Sequence, residues 1–112
     1  MTVSEFDERP HSLFVTHLPL SWHGYQGQYN PVFNEQGQFT NTWKCDRNFY
    51  WLWPLSYNVY IEYILEDEQW VFRADHKLIA DNSKYIFRSL PRASPSHPRL
   101  AHWAEHICIS HI

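Results

Sequence analysis

The stretch LSYNVYIEYIL, residues 55–65, constrains the fold of this chain more than any other. Leu55, Tyr57, Val59, Ile61, Tyr63 and Leu65 fall on one side, and Ser56, Asn58, Tyr60, Glu62, Ile64 and Glu66 on the other. A period of two predicts a half-buried β-strand, and β-branched and aromatic side chains suit its pleated surface. Pro54 marks its start or a bend. Glu66-Asp67-Glu68 then makes a tight acidic connection to Gln69–Ala74, which reads as the second strand of a hairpin.

Shorter signals of the same kind lie on both sides. SLFVTHL (12–18) is a strand stopped by Pro19, and FTNTW (39–43) is another. Residues 21–38 hold all three glycines and read as a long connection with a short strand at Tyr29–Phe33. Asp75-His76-Lys77 breaks the second hairpin strand, Leu78–Ala80 is a short apolar piece, and Lys84–Leu90 completes the set. With no helix between them, these strands must be mostly antiparallel, because parallel crossovers need a dozen or more residues. Residues 1–11 read as a loose arm.

PRASPSHP (91–98) is a linker, and after it the period changes. Leu100, Trp103, Ala104, Ile107 and His111 share one face at helical spacing. Ser96 or His97 can cap the start, with Pro98 in the first turn. The expected fold is therefore α+β: one domain over 1–112, with a curved, mostly antiparallel sheet of five to seven strands. A C-terminal helix over 97–110 packs on that sheet.

Composition narrows the function classes. At 112 residues and 44% hydrophobic, the chain suits one domain with a substantial core. A net charge of −3 argues against a non-specific nucleic-acid binder. MTVSEFDER (1–9) lacks the basic start and apolar run of a secretory leader, and the apolar stretches are too short to span a bilayer. The expectation is a cytoplasmic protein in which Cys45 and Cys108 stay free thiols.

Three groups of residues carry candidate chemistry. The first is HWAEH (102–106), the H-x-x-E-H arrangement, where His102 and His106 at i and i+4 on a helix can ligate one zinc. A third donor has to come from upstream, with Glu62, Asp75 and His76 available. The helical wheel puts both histidines with Arg99 on the solvent side, which favours a plain polar face. The second group is aromatic: Trp43, Trp51, Trp53, Tyr57 and Trp70 are either core or the lining of a ligand pocket. The third is Arg88, Arg92 and Arg99, gathered toward the start of the expected helix, where guanidinium groups and free N–H groups suit an anion. These cations and the acidic Glu62, Glu66, Asp67 and Glu68 could also pair across a homodimer.

No nucleophile elbow, phosphate loop or dinucleotide fingerprint is present. The residues lean away from an enzyme. The first expectation is a small accessory domain that binds an apolar or aromatic small molecule. The second is a protein-interaction module, such as a homodimer, an inhibitor or an immunity-type protein. The third is a small hydrolase or nuclease, with or without zinc, built on convergence among His17, His23, His76, His102 and His106.

Overall fold

A computed structural model describes residues 10–46, 57–76, 83–103 and 106–111. Trp51, Trp53, the apolar piece at 78–80 and residues 1–9 of the arm expected over 1–11 fall outside these residues. The described residues form one antiparallel sheet: β1 Leu13–Thr16, β2 Gly27–Phe33, β3 Phe39–Cys45, β4 Tyr57–Ile64, β5 Gln69–His76, β6 Ser83–Arg88 and β7 Cys108–His111. Its strand order is β6-β5-β4-β3-β2-β1-β7. Each step from β1 to β6 is a meander to the next strand in sequence, and only β7 returns from the far end of the chain.

The long alternating stretch forms β4, in register with β5 from Tyr57↔His76 to Ile64↔Gln69. β5 runs through Asp75-His76, where the sequence suggested a break. The glycine-rich connection is more ordered than expected. A 3-10 turn at Leu20–Tyr25 leads into a seven-residue β2, and the β2–β3 turn closes over Asn34–Gln38. Gly37 sits there at φ 77°, a left-handed value that disfavours a side chain. Pro31 is accommodated where the β2–β3 register shifts, beyond the end of β1.

The sheet curls into a half-barrel, and ring contacts measure the curl. Tyr29 on β2 and Phe72 on β5 have centroids 5.9 Å apart. These strands are three steps apart, about 14 Å in a flat sheet. The inner face carries Leu13, Val15, Tyr29, Trp43, Val59, Ile61, Trp70, Phe72 and Ala74, all buried. Phe72 also meets Phe87 at 5.6 Å and Trp103 at 5.1 Å. The outer face carries a row across four strands in register, Lys44–Tyr60–Arg73–Tyr85. There the Arg73 guanidinium lies 4.4 Å from the Tyr60 ring centre and is ion-paired with both Glu62 and Asp75.

The C-terminal helix is not formed, and the fold is not α+β. Pro98–Leu100 is one 3-10 turn, capped by the His97 side chain, Trp103 bridges to Ser89, and Cys108–His111 is strand β7, paired with β1. Leu100, expected on the packed face, is 56% exposed. A helix of about a dozen residues is marginal without tertiary support. The four-residue β1, with Leu13 and Val15 fully buried, would otherwise leave one row of backbone groups without a neighbouring strand. Pairing with β7 satisfies that row, and Cys-Ile-Ser-His has no strong helix former to oppose it.

Two outcomes follow. Phe72→Ala removes the ring that joins three parts of the core, and should lower unfolding free energy by about 3–5 kcal/mol in a urea titration. Burial also pushes the Tyr29 phenol well above its ordinary value of 10.0 and raises that of Tyr25. These phenols stay protonated in the fold while those of the unfolded chain ionise, so unfolding releases protons. Their contribution is intact below about pH 10 and is lost as pH rises through the folded values. The urea midpoint should therefore fall on the alkaline side, and fall less in Tyr29→Phe.

Candidate functional site

The conspicuous tryptophans serve the core. Trp43 is 2% and Trp70 0% exposed, and their rings lie 5.9 Å apart. Each indole N–H is anchored, Trp43 Nε1 donating to the His11 carbonyl at 2.9 Å and Trp70 Nε1 to that of Ser94 at 2.8 Å. Tyr57 is half-buried against Trp22, and its backbone N–H donates to the Tyr25 hydroxyl at 2.8 Å. Trp51 and Trp53 lie outside the described residues.

The three arginines are placed apart from a helix end. Arg88 on β6 lies 3.6 Å from Asp67 and stacks 5.0 Å from the Tyr85 ring centre. Arg92 is at a bend with φ 64°, and Arg99 is exposed within the three-residue 3-10 turn. The helix N-terminus that would have added aligned N–H groups for an anion does not exist. Within the chain the two segments also touch: Asp67 pairs with Arg88, and the Ala93 N–H donates to the Glu68 carbonyl at 2.9 Å.

What the fold does assemble is an open cleft of about 520 Å3 between the end of β1 and the C-terminal residues. Its polar lining is His17, His102, His106 and Cys108, and its apolar lining is Ala101, Trp103 and Ile107. His102 and His106 therefore do share a site, and His17 is the upstream histidine that joins them. β7 is responsible: its register sets Cys108 opposite Thr16, next to His17. His17 holds a left-handed φ of 65°, uncommon for a residue with a side chain, and its Nδ1 shares a 2.9 Å hydrogen bond with the Thr16 hydroxyl. Ile107 is buried below the cleft, while all four polar lining residues are exposed.

Two of the expected upstream zinc donors stand elsewhere. Glu62 and Asp75 are held by Arg73 on the outer face. Among the described residues, no three His, Cys, Asp or Glu side chains are arranged to hold one metal ion. His23, in the 3-10 turn after β1, is not part of the cleft lining. Four lining residues escaped the sequence reading as site residues. Ala101, Trp103, Ile107 and Cys108 fall in the expected terminal helix, Trp103 and Ile107 on its packed face; only recognition of β7 would have put them beside His17.

No family model matches this chain, and neither does any curated protein or solved structure. No helix among the described residues is long and apolar enough to cross a membrane.

The Trp103 Nε1–H is buried with no hydrogen-bond partner among the described residues. An unpaired buried donor costs about 1–3 kcal/mol, which offsets part of what the ring contributes. Trp103→Phe should then change unfolding free energy by less than about 1 kcal/mol, whereas Trp103→Ala should cost about 3–5 kcal/mol. Urea titration of both variants separates ring packing from the polar penalty.

Proposed function

We propose that this chain is a small accessory domain that binds a neutral heteroaromatic molecule in the cleft between His17 and the C-terminal residues. The observation that carries this reading is the lining itself. His17, His102, Trp103 and His106 present four aromatic rings, Ala101 and Ile107 are apolar, and among the described residues no Lys, Arg, Asp or Glu takes part. Aromatic walls stack on flat ligands. A neutral imidazole offers one donor and one acceptor, which matches the edge of a nitrogen heterocycle. The volume, about 520 Å3, lies within the usual range for small-molecule sites. This keeps the ligand class read from the aromatic composition and moves the site away from Trp43 and Trp70.

Zinc is the cofactor class that the same donors suit, since imidazole and thiolate are its usual ligands. The donors would have to turn inward from their present arrangement, so the metal is the subordinate reading. The free, exposed Cys108 thiol supports a reducing, cytoplasmic setting.

An interaction module remains the second reading, supported by Phe14 at 45% and Tyr85 at 43% exposure on the outer face. Light scattering tests it: a stable dimer that is lost on Phe14→Ser or Tyr85→Ser would favour this reading over the first.

Titration with indole or adenine, followed by NMR of the histidine side chains, tests the ligand reading. Saturable shifts at His17, His102 and His106 are expected, with affinity about tenfold weaker in His102→Ala, a loss near 1.4 kcal/mol. No shift in the millimolar range would overturn it. Shifts with Zn2+ but with neither heterocycle would replace it with the metal reading.

A further inference from the structure

The cleft is made almost wholly by one thin piece of chain. Of its lining residues only His17, just past the end of β1, lies outside the C-terminal segment; the others come from Ala101–Trp103 and His106–Cys108. That same piece holds both edges of the half-barrel. At one edge the Leu90 N–H donates to the His102 carbonyl at 2.7 Å, and Ser89 bridges to Trp103 just past the end of β6. At the other edge β7 pairs with β1 from Thr16↔Cys108 to Leu13↔His111. Four strands separate β6 from β1 in the sheet order. The C-terminal residues thus act as a strap across the open side of the half-barrel.

We infer that cleft occupancy and strap docking are a single linked equilibrium, so that the ligand governs closure of the half-barrel. The inference rests on the ligand reading above and adds its regulation. With the strap lifted, His17 alone remains of the site, so a ligand binds the docked form and not the lifted one. Such a ligand stabilises docking by the factor one plus its concentration over its Kd. The strap is held from beneath by the Trp103 ring, 5.1 Å from that of Phe72, and by Ile107 at 8% exposure, whereas β7 itself has four residues with Cys108 and Ser110 exposed and is where local opening starts. Lifting it would uncover the outer edge of β1, and ligand binding keeps that edge covered.

Hydrogen exchange with indole as the probe tests this. At ten times its Kd, indole should slow exchange of the Leu90 and β7 amides about tenfold, and leave unchanged the turn amides at Asn34–Gln38, whose local opening keeps the strap docked. A locked form provides the second arm. Phe14 and Ser110 are exposed, lie outside the cleft and face each other across β1 and β7. Directly opposed antiparallel pairs have Cα separations within the range that a disulfide spans. Phe14→Cys with Ser110→Cys, its bridge verified by peptide mapping, should bind indole at least as tightly as the parent. In that form the β7 amides should exchange more slowly than in the parent even without indole, because the strap-lifting route is closed. Indole binding to the parent chain with no slowing at Leu90 or in β7 overturns the linkage and leaves the ligand reading standing. Binding to the locked form alone supports the linkage. Binding to neither form overturns the ligand reading and this inference with it.

Discussion

The structure depends on where the ring of Phe72 sits. It is fully buried on β5 and touches Tyr29 from β2, Phe87 from β6 and Trp103 from the C-terminal strap. A flat sheet would hold the first of these rings too far away. The sheet therefore bends until its own inner face supplies the second layer of the core. Among the described residues no helix covers this face: large rings on one curved face bury one another.

Bending a sheet in this way leaves two edges and an open side, and polar anchoring deals with both. The indole N–H groups of Trp43 and Trp70 donate to carbonyls of His11 and Ser94, tying segments before β1 and after β6 onto the core. The buried Ser89 joins the Trp70 backbone twice, donating to its carbonyl at 2.8 Å and accepting from its N–H at 2.9 Å through Oγ. From there the chain turns through Pro98–Leu100, meets the β6 end at His102 and Trp103, and finishes beside β1. The histidine cleft is a product of this route. No single segment contains it, and His17, at a left-handed φ of 65°, follows Thr16, the β1 residue paired with the first residue of β7.

Much of the sheet was legible in the residues. The alternation in 55–65 locates β4, the acidic turn locates the hairpin, and the lack of helical spacing before residue 91 requires antiparallel neighbours. The site was legible only in fragments. HWAEH marks two of the cleft histidines, yet the wheel placed them on the outside of a helix. The tryptophans drew attention toward a pocket around Trp43 and Trp70, where the structure has core. A tryptophan is equally at home in either place, and composition does not state whether its N–H meets a ligand or a carbonyl.

The terminal segment divides what each level determines. Local spacing of Leu100, Trp103 and Ile107 satisfies a helix, and Pro98 with the His97 cap does begin a helical turn. The turn ends after three residues, because a short helix gains little by itself while an adjacent buried strand offers a complete row of hydrogen bonds. The sequence by itself determined the meander, its faces and which residues are apolar enough to fill it. Only the tertiary structure decided the seventh strand, the clasp between distant edges and the gathering of His17 with His102, His106 and Cys108. Those depend on the β1 edge lying within reach of residues more than ninety positions away, a contact that no local pattern encodes.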